Sequence, residues 1–559
     1  LVCALAVSAA KSEGMASPIF AIALVLAAIV MYDATGVRRE TGNQAKAAKL
    51  LVEHFRTRET PRYFYNDANK EKQVNAAKQD PEYVKSVIAE ADRVMGDRPD
   101  MWGAKVDFDD PNVWDFQKYG ASTTYGSMMN RLEWLIPVGQ AYWFTGDEKY
   151  PEFFLKVIRS WMVYNPLRVE EPLVRGQGVG GLPWNNTIDI GWRLTSLNQA
   201  FQYFRGYEGF DEQTYLHFLH LIMQHGKLLN KQEGSLFGGN WQTQECEGLA
   251  QTGIMFPEFS GAENWYNISM DRFLEHATAP MTQEDGTYLE PTPGYFSAVR
   301  QSIFSVVQLS KLNGIDVDTR LDTSLEKMFA WFMQMTLQDG QMPVPGDTGL
   351  FDTRRALAMG AALFRRGDFK YVSQCATLPT EYIWFVSGEL FDQFNQLTAV
   401  KPEPEYTKLA DCQYVVFRDD WAKLGSGNSL FFDVNPVVKG HNHFDYLNFE
   451  CVFGGERLLT EAGHLGYSHP FRDSYVLGLP GHNVLMVDDG KQQEVWLEKN
   501  PPEISAFEST PQYDYAEGRA VYPAANGKPS FEWRRRVVYL KPDVYVISDL
   551  VKGEGERTI

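Results

Sequence analysis

Histidine is scarce in this sequence, ten in 559 residues, and five of the ten (His441, His443, His464, His469 and His482) fall within one stretch. On an extended segment, His441 and His443 point to the same side. Glu461 follows in LLTEAG and His482 in PGHN. Two histidines and a carboxylate are a donor set for a zinc-like divalent ion. The same residues also suit plain loop histidines satisfied by hydrogen bonds. A neutral histidine is a competent general base near neutral pH.

Two stretches upstream carry further chemistry. In GGNWQTQECE, Asn240 follows two glycines, which suits a sharply turned polar residue lining a cleft. It equally suits an asparagine N-cap of a following helix. In DGTYLEPTPGY, two prolines and a glycine hold Tyr295 at a rigid helix entry. The competing role is an aromatic staple. A tyrosine needs its pKa lowered from about 10 to act as a base, but can serve as an acid without that. No carboxylate dyad of the glycosidase kind is legible. Asp189 in NTIDIGWR and Asp347 in PGDTG read as helix caps or as ion-pair partners of Arg193 and Arg354.

The elements that must position these residues are of two kinds. From about Gln44 to Gln396 the pattern is helical. Phe304, Val307 and Leu312 form an apolar stripe, with Gly314 a natural C-terminal stop. Met328–Leu337 and Tyr215–Asn230 read as further helices. Near Pro402–Tyr406 the character changes. In YLNFECVF, Leu447, Phe449, Cys451 and Phe453 fall on one strand face, and RRRVVYLKPDVYVISDLV reads as two strands around a Lys-Pro-Asp turn. An antiparallel sandwich is expected. The expected organisation is an upstream segment over 1–35, a helical domain over 40–400 and a β domain over 405–559. The β domain is expected to continue beyond Ile559.

Length and charge bound the function. A chain of 559 residues exceeds one ordinary core. The net charge of −19 argues against nucleic acid, which needs a basic surface. It also sits awkwardly with a polyanion, unless a local basic cleft binds one within the screening distance of about 10 Å. A carboxylated sugar is favoured over a densely sulfated one. Aromatic residues are plentiful, as in clefts that stack on sugars and in large cores alike. The five cysteines lie far apart without a CxxC pair, and Cys246 and Cys451 read as small buried apolar residues. Pro18–Tyr32 is an apolar run, short for a bilayer span and similar to a signal-peptide core following Met15. Secretion or periplasmic export is therefore expected, without stable membrane insertion.

Taken together, PWNNTIDIGWR, GGNWQTQECEGLAQTGIMFPEF, EDGTYLEPTPGYF, MPVPGDTG, GHNHFDYLNFECVFGGERLLTEAG and GHNVLMVDDG resemble the heparinase II/III-like polysaccharide lyases, from about Trp184 onward. The helical half is most similar to the heparinase III-like branch. The resemblance implies a multidomain α+β fold, an incomplete (α/α) toroid followed by an antiparallel β-sandwich. It implies β-elimination at a uronic acid, with Asn240 neutralising the substrate carboxylate, Tyr295 as general acid at O4 and as an alternative base, and His441 as partner base or second neutraliser. Trp241, Gln242, Glu245, Arg193, Tyr467 and Arg472 are the expected substrate contacts. His443, Glu461 and His482 match the metal positions of the heparinase II type. Here Glu461 replaces the expected Asp and is displaced by one residue, and Trp241 replaces an expected His. Any metal is expected to be structural, and no organic cofactor is implied. The partner is an acidic polysaccharide, with heparan sulfate, hyaluronan, alginate and ulvan all open, as is the oligomeric state. The rival readings are a uronate C5-epimerase, an inverting glycoside hydrolase with carboxylates about 6.5–9.5 Å apart, and a non-catalytic glycan-binding protein.

Overall fold

The computed structural model describes residues 41–57, 63–64, 67–166, 182–184, 186–230, 239–435, 441–466, 469–525 and 527–559. The expected segment 1–35 and Tyr467 lie outside the described residues. Helices run from Thr41 to Gln396 and strands dominate from Thr407 onward. The chain divides into two compact units. One takes the described residues up to Leu274 with Ser302–Val317 and Thr380–Ser387; the other takes Glu275–Gln301, Asp318–Pro379 and Gly388–Ile559. The change from helix to strand is therefore not the boundary between units, because several helices fold with the sheets. No helix among the described residues is long and apolar enough to cross a membrane.

The first unit is helical and its centre is the helix Asn240–Met255. This helix is buried from Gln242 to Met255 although much of it is polar. Two features make that possible. Gly191 on the helix Thr187–Phe204 and Gly248 let the two backbones approach closely: a Cβ at Gly248 would stand 2.9 Å from the Gly191 carbonyl oxygen. The polar side chains are then paired. Ser302 donates to Glu247 at 2.9 Å, Gln251 to Ser305 at 2.9 Å, and Asn198 to Thr252 at 3.0 Å.

The second unit holds the sheets. A two-stranded ribbon, β1 (Asp100–Met101) and β2 (Ala104–Lys105), belongs to the first unit. In the second, β3 (Thr407–Leu409), β4 (Tyr414–Arg418), β5 (Ser429–Asp433), β6 (Asn448–Phe453) and β7 (Glu456–Leu459) form one antiparallel sheet in sequence order. The strands β8 (Glu503–Ser509), β9 (Tyr513–Tyr522), β10 (Phe531–Leu540) and β11 (Val544–Gly553) form the other, also antiparallel. β10 and β11 are the hairpin expected around Lys541–Asp543. Phe417, Leu430 and Phe432 from one sheet share a core with Ala516, Trp533 and Val537 from the other, as in a sandwich.

Strand β6 departs from its expected pattern. Its more buried face is Asn448, Glu450 and Val452, while Phe449 is half-buried against the sandwich core and Phe453 is exposed. The reason is that both faces are covered. Glu450 accepts from the Val344 N–H at 2.5 Å and from Arg457 at 2.7 Å, so the polar face grips the loop around Val344. Cys451 is half-buried, whereas Cys246 is buried; both are free thiols.

Candidate functional site

In the second unit the loop Pro345–Gly349 organises the expected residues. Gly346 has φ +64°, and a Cβ there would collide with the His441 carbonyl oxygen, so only glycine lets the loop pass. The next residue, Asp347, donates its N–H to that carbonyl at 2.7 Å. Its carboxylate accepts from Arg472 at 2.6 Å and lies 3.2 Å from His443 Nε2. Thr348 then accepts the Gly294 N–H at 2.9 Å, at the start of the helix Pro293–Leu312. One loop thus ties down the residue before Tyr295, the backbone of His441, the ring of His443 and the head of Arg472. Asp347 pairs with neither Arg193 nor Arg354. Arg354 pairs instead with Asp352.

The outcome is that Tyr295 and His441, distant in sequence, stack face to face with ring centroids 3.4 Å apart and planes 8° from parallel. Burial lowers the His441 pKa to about 4; the Asp347 charge opposes that, while His464 and Arg472 add to it. The ring is therefore neutral at pH 7. Glu290 lies beside it, with Oε1 3.9 Å from His441 Nδ1. Burial raises the Glu290 carboxyl to about 7. Asp347 moves the other way: burial alone would raise it, but its bond to His443 and the nearby charges leave it lowered.

The expected metal residues are brought together only in part. The ligand atoms of His443, Asp445 and His482 lie within 4.8 Å of one another. Asp445 thus stands where Glu461 was expected. Glu461 instead hydrogen-bonds His482 Nδ1 and accepts from Asn448 at 2.7 Å. It sits behind one histidine as Asp347 sits behind the other. His443 Nδ1 and His482 Nε2 are buried with no hydrogen-bond partner. Two buried orphan nitrogens, each on a ring whose other nitrogen faces a carboxylate, fit a divalent ion.

In the first unit, Gly239 (φ +85°, ψ −160°) precedes the helix as its cap residue, and Asn240 is the first helical residue. Asn240 is therefore not the N-cap. Asn240 and Trp241 are partly exposed. Three of the expected substrate contacts are buried in this unit. Gln242 and Glu245 keep 8 % and 1 % of their surface, because this helix is buried on nearly all sides. Arg193 is wholly buried: it donates to His225 and to the Asn130 carbonyl, and stacks on Trp161 and Trp184. Asp189 pairs with Arg131 at 2.7 Å, and Asn186 caps that helix instead.

Sequence reasoning missed Asp347 as the hub, Asp445 as the converging carboxylate, and Glu290. The glycine before Asp347 was the one available signal.

Comparison with known proteins completes the description. Residues 35–371 match the family model described as Heparinase II/III N-terminus, and 401–559 match Heparinase II/III-like, C-terminal. A heparin-sulfate lyase of Bacteroides thetaiotaomicron is 23 % identical over 555 residues, covering 93 % of this chain and 72 % of the relative. One from Pedobacter heparinus is 20 % identical over 444 residues, 76 % of this chain and 60 % of the relative. The crystal structure of a heparinase III superposes with a TM-score of 0.72 at 17 % identity, covering 95 % of this chain and 78 % of that one. A short match, 41 % identical over 73 residues, joins 13 % of the chain to 46 % of an uncharacterized membrane protein, YuiD, of Bacillus subtilis. The fold is the expected one, helices of the toroid class followed by antiparallel sheets.

Proposed function

This chain belongs to the heparinase II/III family, and from that premise we propose that it is a polysaccharide lyase that cleaves a uronic-acid-containing glycosaminoglycan by β-elimination. The observation that carries the reading is the Tyr295–His441 stack. Elimination needs a base for the C5 proton and an acid for the departing O4, on neighbouring atoms of one sugar. His441, neutral at pH 7, takes the C5 proton. The C5–H electrons form the C4–C5 double bond, the C4–O4 bond breaks, and Tyr295 gives its proton to O4. The sugar carboxylate must be quieted for the C5 proton to leave, and fixed donors in a dry site do this most effectively. Asn240 is proposed for that role from the family resemblance alone.

The relatives named heparin-sulfate lyases favour a glycosaminoglycan; nothing supports alginate. Export from the cytoplasm suits a polymeric substrate and rests on the run Pro18–Tyr32. A zinc-like ion would be held by His443, His482 and Asp445, with Asp347 and Glu461 orienting the rings. Bound there, it would supply cross-linking of the segment that carries His441. No step of the elimination runs through it. Metal analysis of the purified protein, with melting before and after chelation, tests this: a divalent ion near one per chain and a lower Tm without it are expected.

The activity is tested with heparan sulfate, hyaluronan and chondroitin sulfate, read by the ultraviolet absorbance of the new double bond. An absorbing product on at least one is expected. Solvent deuterium at C5 without an absorbing product would assign an epimerase instead. New reducing ends without absorbance would assign a hydrolase.

A further inference from the structure

Beyond Tyr295 and His441, one acidic side chain faces the reacting pair and has no role so far. We propose that Glu290 is a positioning residue for His441, accepting a hydrogen bond from its Nδ1–H and so leaving Nε2 as the nitrogen that receives the substrate proton. The proposal rests on the lyase reading for its catalytic consequence, but its physical core is independent of it.

Three observations carry it. His441 Nδ1 is buried without a hydrogen-bond partner, and Glu290 Oε2 is buried without one too. Buried polar atoms are almost always paired, so two orphans on facing segments call for a common explanation. The gap is 3.9 Å from Nδ1 to Oε1, too long for a hydrogen bond but within one small rotation of the side chain.

Second, the other nearby carboxylate is occupied. Asp347 spends one oxygen on His443 and the other on Arg472, and meets His441 only through the backbone. Arg472, the permanent cation that acts on His441, has no acceptor and cannot take the Nδ1–H bond.

Third, the backbone of Glu290 is fixed. Pro291 follows directly and restricts Glu290 to extended conformations, and Pro293 opens the helix that presents Tyr295. The same six residues, Glu290–Tyr295, thus set both the tyrosine on the imidazole ring and the carboxylate beside it. Burial lifts the Glu290 pKa to about 7, as for a carboxylate still lacking its donor. A carboxylate behind Nδ1 fixes both the tautomer and the tilt of an imidazole that works through Nε2.

The test has two arms on the full-length protein. The first is the ¹⁵N spectrum of histidine-labelled protein at neutral pH, with the His441 signals assigned by their loss in His441→Gln. The Nδ1–H tautomer is expected in the parent and in Glu290→Gln, whose amide oxygen still accepts. The Nε2–H form should grow in Glu290→Ala. Glu290→Leu, which keeps the volume but has no acceptor, serves if the alanine variant does not fold. An unchanged tautomer in Glu290→Ala or Glu290→Leu overturns the proposal.

The second arm is kinetic. Glu290→Ala should lower kcat by roughly 10-fold or more with KM within about twofold, and Glu290→Gln should recover most of the loss. Equal losses in both variants, or a change in KM alone, also overturn it. Should the parent give no unsaturated product, the lyase reading fails while the tautomer arm still decides the Glu290–His441 pairing.

Discussion

At the scale of single residues, the proposed elimination rests on Tyr295. Its ring lies flat on His441, so removing the phenolic oxygen leaves the stack and its packing in place. Tyr295→Phe is therefore expected to fold and to lose at least about 100-fold in turnover, the lower range for general acid–base catalysis. Near-parental turnover would remove the assignment. His441 and Tyr295 were legible in the sequence because histidines are few and clustered, and because prolines frame the tyrosine. Glu290 was not, since one acid before a proline has no signature. The choice between Asp445 and Glu461 was equally hidden. Spacing says that a carboxylate is near two histidines, and only three-dimensional convergence says which one. The burial of Arg193 and Glu245 was hidden for a related cause: a polar residue beside a motif looks exposed until its depth is known.

At the scale of elements, the helix Asn240–Met255 shows how a largely polar segment is held in a core. Its position depends on a glycine contact with the helix Thr187–Phe204. Gly248→Ala would set a methyl group 2.9 Å from the Gly191 carbonyl oxygen and 3.2 Å from Leu194 Cβ. Alanine gains up to about 1 kcal/mol in helix propensity. A backbone oxygen cannot swing aside, so overpacking of about 1–3 kcal/mol should win. Urea midpoints should fall for Gly248→Ala. They should hardly move for Gly206→Ala, where nothing lies within 4 Å of the added carbon. Equal effects would mean the helices adjust freely.

The same helix buries Glu247, whose pKa burial raises to about 7 despite bonds from Ser302 and Ser305. The unfolded value is near 4.3. The folded state thus holds this proton more tightly, and stability falls as pH rises from about 4.3 to about 7. The loss is on the order of 4 kcal/mol. Glu247→Gln should remove that slope, so its midpoint relative to the parent should rise between pH 5 and pH 8. A difference independent of pH would show that Glu247 does not carry the proton. None of this was legible beforehand, because the helix pattern gives periodicity but not the depth of burial.

At the scale of the whole molecule, sequence pattern located the change from helix to strand near residue 400 but not the compact units. Helices such as Thr319–Met335 fold with the sandwich, since their apolar faces meet elements far along the chain. Overall charge poses the last question. The chain carries −19, and its proposed substrate is a polyanion. Among the described residues, the permanent cation that acts on His441 is Arg472, and it is partly committed to Asp347. Repulsion acts over the whole surface, whereas attraction acts over a few ångströms. At 0.01 M salt the screening length is about 30 Å, so the full net charge opposes approach; at 0.1 M it is about 10 Å, and only local groups matter. We therefore expect kcat/KM on heparan sulfate to rise between about 0.01 and 0.1 M salt, then fall as contacts at the site are screened in turn. A protein that steers its substrate by a dominant basic surface would instead slow from the lowest salt upward. Initial rates across that range distinguish the two. A steady decline would mean that a basic surface, outweighing the net charge locally, lies where the polymer first arrives.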